Sequence, residues 1–109
     1  MKNETLEALY AVVASRKEKP EEGSYTCYLF DKGLDKILKK VGEECAETII
    51  AAKNGDNAEL KNEICDLLYH LIVMMNERGL PLGDVMDELD ARSNKIGNLK
   101  QMKTVDKNT

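Results

Sequence analysis

Tryptophan is absent from this sequence, phenylalanine occurs once, and all aromatics together reach 5%. A β-sandwich fills its core from aromatic and β-branched runs, so this scarcity argues against one. The cysteines are three, an odd number, and no two form a C-x-x-C pair. Cys45 and Cys65 sit inside helical patterns. A disulfide or zinc framework is therefore not expected, and a reducing compartment is. No apolar run reaches membrane-spanning length, and Glu7 interrupts the first apolar stretch before it could act as a secretion signal. We expect a cytoplasmic protein. An excess of basic charge is also missing: the formal net charge is −4. Binding to a nucleic-acid backbone needs a basic surface, so that function is not expected. A small phosphorylated ligand is still allowed, because a cation can bring positive charge locally. Internal repeats and low-complexity tracts are lacking too.

Leu, Ile, Val, Ala and Met are plentiful, and charged residues make up 33% of the 109 residues. That length supports one domain with one core, and the composition suits amphipathic helices. The expectation is an all-α fold, an antiparallel bundle of four to five helices whose core is completed by dimerisation. A single domain is expected over residues 1–96, followed by a flexible tail over 97–109.

The periodicity predicts a first helix over residues 3–16, with Leu6, Leu9, Tyr10 and Val13 inward. Pro20 and Gly23 mark a polar break over 17–24. The following segment, SYTCYLFDKG, is short and mixed, and is assigned no more than a single helical turn leading to Asp31. A second helix spans about Leu34 to Lys53. Leu34, Ile37, Leu38, Val41, Cys45, Thr48, Ile49 and Ala52 form its apolar face, and Asn54-Gly55-Asp56 forms its stop. A third helix spans about Asn57 to Glu77, with Leu60, Ile64, Leu67, Leu68, Leu71 and Met75 as its core face. Glu59, Glu63, Asp66 and His70 make a polar stripe along it. Tyr69, Val73 and Met74 extend its apolar surface around most of its circumference, so it is buried on more than one side. Arg78-Gly79 ends it. A fourth helix, about Leu82 to Asn94, turns Val85, Met86 and Leu89 inward.

The chemistry lies in two spacings. Glu44 and Glu47 project from neighbouring turns of the second helix, at the flank of its apolar face. Glu63 and Asp66 do the same on the third. The turn between the helices is short, so they are antiparallel neighbours and the four acids can face one another. Carboxylates gathered there repel unless protons or cations lie between them. An all-oxygen site suits Mg²⁺ or Mn²⁺. The competing reading is a solvated helix surface, with Lys40–Glu44 or Lys39–Glu43 as ordinary ion pairs. His70, one turn after Asp66, is read as a hydrogen-bonded residue behind the site; its spacing does not match the Glu-x-x-His of di-iron bundles. Lys36, Lys39, Lys40 and Lys53 are candidates for phosphate oxygens near the metal. Arg92, Ser93 and Lys95 form a second phosphate-binding candidate.

The stretches SYTCYLFDKGLDKILKKVGEECAETIIAAKNG and ELKNEICDLLYHLIVMM, with the Asp-Glu-Leu-Asp-Ala-Arg-Ser segment at 87–93, resemble the phosphoribosyl-ATP pyrophosphatases of histidine biosynthesis. The Glu-Glu-x-x-Glu and Glu-x-x-Asp patterns alone are shared by the wider all-α nucleotide pyrophosphatases, including MazG-type enzymes and dimeric dUTPases. The resemblance implies Mg²⁺-dependent hydrolysis of phosphoribosyl-ATP to phosphoribosyl-AMP and pyrophosphate. It implies Glu44, Glu47, Glu63 and Asp66 as metal ligands. Glu43 or Glu47 would act on the attacking water. Two alternatives stand beside it: a sibling that clears other nucleoside triphosphates, and a non-catalytic helical dimer with a structural cation site.

Overall fold

In the computed structural model the described residues are 3–94, and they form five helices with no strand among them. These are α1 (Asn3–Glu18), α2 (Tyr25–Lys32), α3 (Leu34–Asn54), α4 (Asn57–Arg78) and α5 (Leu82–Ser93). The tail expected to be flexible lies outside the described residues, as does Lys95.

The helix boundaries follow from local chemistry. Asp56 caps α4 by accepting hydrogen bonds from the backbone N–H groups of Ala58 and Glu59, at 3.0 and 3.2 Å. Gly55 and Gly79 close α3 and α4 in the left-handed conformation, at φ 74° and 70°. A two-residue connection therefore folds α3 back onto α4, and this pair forms the largest packing interface of the fold. The Thr48 hydroxyl ties the two helices together, lying 2.7 Å from the Glu44 carbonyl and 3.4 Å from the Glu63 carbonyl.

The segment read as a single turn is a full eight-residue helix, α2. Ser24 supplies what composition alone did not show. Its hydroxyl accepts from the Cys27 N–H at 3.1 Å and starts the helix. Leu29, with no exposed surface, anchors it in the core beside Val13, Ile37, Ile72 and Val73. Gly33, at φ 96° and ψ −176°, ends α2 and starts α3, a conformation essentially confined to glycine.

The inward faces differ from those read off the periodicity. On α3 the buried line is Ile37, Glu44 and Ala51, at seven-residue steps, with Thr48 half-buried. Leu38, Cys45, Ile49 and Ala52, expected in the core, are exposed. On α4 the buried residues are His70, Ile72 and Val73, while Ile64 and Leu68 are exposed. Both helices are apolar over so much of their circumference that periodicity fixes the stripe but not its rotation toward the neighbours.

Among the described residues α5 makes little contact with the other helices. Leu82 is buried at its start, but Leu89 is 48% exposed rather than inward. The Tyr10 hydroxyl donates to the Leu80 carbonyl at 2.9 Å and ties the link before α5 to α1. No helix among the described residues is long and apolar enough to cross a membrane.

Candidate metal centre

Glu44 stands in the line of α3 that faces α4, not at the flank of the apolar face. It occupies the slot between Ile37 and Ala51 that a hydrophobic residue would fill. An ionised carboxylate there must find compensation or cost several kcal/mol, on the order of a buried unpaired charge. Half of that compensation is visible. Lys40 Nζ lies 3.7 Å from Glu44 Oε2 and 3.2 Å from Glu43 Oε1. The other oxygen, Oε1, is buried without a hydrogen-bond partner, and so is Oε1 of Glu63 across the seam. Carboxylate oxygens of Glu44, Glu63 and Asp66 all come within 4.8 Å of one another. Glu47 is close enough to Glu63 to help raise its pKa, but it is not one of the three acids that converge.

The electrostatics record the crowding. Burial and the nearby Glu47 carboxyl raise the Glu63 pKa above the ordinary carboxylate value, and the charges of Asp66 and Glu44 add to the rise. Binding a proton at Glu63 relieves part of that repulsion. Glu43 behaves in the opposite way. It is exposed, and its hydrogen bond from Lys40 holds its carboxyl below the ordinary range. The same bond raises the pKa of Lys40.

The donor set fits a hard divalent cation. It offers oxygen alone, two of its atoms are buried and unsatisfied, and no cysteine or imidazole shares it. Glu44, Glu63 and Asp66 would hold the ion, with Glu47 at the rim.

His70 lies directly behind Asp66. Its Nδ1 is 2.8 Å from the Asp66 carbonyl, which can only accept, so Nδ1 carries a proton. Nε2 is left to accept from the Tyr25 hydroxyl at 3.1 Å. From the sequence, Tyr25 and Thr26 had no role at the site and Tyr69 belonged only to the apolar surface of its helix; the hydroxyls of Tyr69 and Thr26 hydrogen bond to each other. The Ser-Tyr-Thr lead of α2 was visible as a motif. Its role was not, because helix docking alone brings residue 25 to residue 70.

The remaining candidates are spread out. Lys39 is exposed on α3, close enough to Glu43 to help keep it ionised, and Lys53 is exposed in the last turn of that helix. Arg92 pairs with Glu88 at 3.0 Å, and the Ser93 hydroxyl donates to the Asp90 carbonyl at 2.9 Å. Both stay within α5 and are not brought to the acids within one protomer.

Residues 6–93 match the family described as phosphoribosyl-ATP pyrophosphohydrolase. A curated protein of Clostridium botulinum (strain Hall), named phosphoribosyl-ATP pyrophosphatase, is 54% identical over 97% of this chain and 97% of its own. Proteins of that name from Limosilactobacillus fermentum and Streptococcus thermophilus are 58% and 56% identical, over 87% and 92% of this chain and 90% and 96% of theirs. The match covers α3 and α4 with all their acids, and identity of this extent over nearly full length shows common descent. The chain belongs to the phosphoribosyl-ATP pyrophosphohydrolase family.

Proposed function

We propose that this chain hydrolyses the α–β phosphoanhydride of phosphoribosyl-ATP, releasing phosphoribosyl-AMP and pyrophosphate, as a cytoplasmic step of histidine biosynthesis. Mg²⁺ is the cofactor, with Mn²⁺ as a working substitute. Family membership supports the reaction. The observation that carries the site is the pair of buried carboxylate oxygens of Glu44 and Glu63 without partners, facing Asp66. A divalent ion bound there supplies the positive charge that lets an acidic surface receive a polyphosphate.

The chain's own groups do the rest. Glu44, Glu63 and Asp66 form the anionic floor. Glu47, exposed at the rim and in contact with Glu63, accepts the proton of the attacking water. Glu43, ionised and tethered to Lys40, orients that water from the outer side. Lys40, three-quarters buried between Glu43 and Glu44, offers its ammonium to the charge that develops on the leaving pyrophosphate. His70 and Tyr25 hold the backbone of Asp66 in place.

The working unit is a homodimer formed by one domain per chain. α3 and α4 are antiparallel, so one step past the inward line turns both to the same side of the pair. Leu38, Cys45 and Ile49 of α3 and Ile64 and Leu68 of α4 share that side and are exposed; Ile49 is 65% exposed. A contiguous apolar face of this kind marks an association surface.

Pyrophosphate release from phosphoribosyl-ATP with Mg²⁺ present tests the reading. Glu47→Gln is expected to lower kcat by at least about a hundredfold while keeping the helical circular-dichroism signal. Wild-type turnover in that variant would remove Glu47 from the mechanism.

A further inference from the structure

Beside the acids runs a second set of groups with the opposite charge. Lys32, Lys36 and Lys40 follow one another at four-residue steps along one side of the α2–α3 turn. Lys40 is engaged with Glu43 and Glu44. Lys32 and Lys36 form no ion pair among the described residues. Their ammonium groups converge instead on one ring, 5.7 and 6.0 Å from the centroid of Tyr28. An aromatic ring holds such cations weakly at an exposed site and leaves their charge unneutralised. Lys36 acts on the Glu43 carboxylate only at longer range, without forming an ion pair, so the two gathered ammoniums form a ready seat for a phosphate dianion.

The seat is connected to the acids. The Tyr28 ring stacks on Tyr25 at 6.0 Å, and both rings are exposed, at 40% and 45%. Tyr25 reaches His70, and His70 the backbone of Asp66. Along α3, Lys36 precedes Glu44 by two turns, about 12 Å of helix axis. Cationic seat, aromatic shelf and acidic floor thus lie in sequence on one surface. Phosphoribosyl-ATP has matching parts in the same order: a ribosyl monophosphate, a purine, and a ribosyl triphosphate.

We infer that Lys32 and Lys36, steered by Tyr28, bind the monophosphate of the phosphoribosyl arm, while the purine lies along the Tyr25–Tyr28 shelf. This rests on the reaction proposed above and adds what separates its substrate from ATP, which carries no phosphate at that end. The shelf tolerates any purine through stacking, so discrimination falls to the two lysines.

Titration calorimetry of the full chain with Mg²⁺ present, using phosphoribosyl-AMP and AMP as ligands, tests the subsite. The wild type should bind phosphoribosyl-AMP at least tenfold more tightly than AMP. Lys32→Gln/Lys36→Gln should reduce that preference to within twofold, and Lys32→Arg/Lys36→Arg should restore most of it. A preference kept by the glutamine variant, or wild-type protein that binds both ligands alike or neither, would overturn the inference. Pyrophosphate release measured on the same samples separates the two claims. Turnover without the binding preference removes the subsite alone, and absence of turnover removes the reaction.

Discussion

At Glu63, burial, the nearby Glu47 carboxyl and the charges of Asp66 and Glu44 all act in one direction, so the folded protein holds a proton more tightly there than the unfolded chain. Between the ordinary value of 4.5 and the raised folded value the native state binds more protons. Stability of the metal-free protein therefore falls as pH rises through that window. Unfolding followed in EDTA should show this contribution as a lower Tm at pH 8 than at pH 5, with a smaller difference in Glu63→Gln. The same variant should be more stable than wild type without metal, because an uncompensated charge has gone. Added Mg²⁺ should reverse the order. A ligand at a hundredfold excess over its dissociation constant stabilises the native state by about 2.7 kcal/mol, and Glu63→Gln should lose most of that gain. A Tm of the wild type indifferent to Mg²⁺ would contradict the assignment of these acids.

Among the elements, α2 shows where sequence was readable and where it was not. The starts and stops of α3 and α4 were legible because Asp56, Gly55 and Gly79 act through their own backbone neighbours. That Glu44, Glu63 and Asp66 would meet was legible because a two-residue connection leaves α3 and α4 one way to pair. The length of α2 was not legible. Eight residues carry too little periodicity, and what holds them is Leu29 in the core and the Gly33 turn. The rotation of α3 was also hidden. Nothing in an apolar stripe says that Glu44 rather than Cys45 faces inward; the location of α1 and α2 decides it. Gly33 gives this element its test. A side chain there meets no atom within 4 Å, so the penalty for Gly33→Ala is conformational only. It should be about 1–3 kcal/mol in urea unfolding. Since the turn sets Tyr28 against Lys32 and Lys36, the variant should also weaken substrate binding more than it lowers kcat.

For the whole molecule, the decisive feature is how much apolar surface one chain leaves uncovered. Among the described residues the buried core cluster is small, Val13, Leu29, Ile37, Ile72 and Val73, whereas Leu38, Ile49, Ile64 and Leu68 on the central helix pair are between 41% and 65% exposed. A second copy packed on that face would cover them. Sedimentation equilibrium should find a dimer, and Ile64→Asp should shift it toward monomer with a lower and concentration-dependent Tm. A wild-type monomer at micromolar concentration would contradict this. The acids open on the other side of the same helix pair. Glu47 and Asp66 stand one step before the half-buried Thr48 and Leu67, and Ile49 and Leu68 one step after them. The same two helices can therefore carry a subunit interface and an acidic site without competition. What binds at those acids is best read by diffraction from crystals soaked in Mn²⁺. The account predicts an anomalous peak among the carboxylates of Glu44, Glu63 and Asp66, within reach of Glu47. Full diffraction with no peak there, or a peak only at surface acids elsewhere, would contradict it.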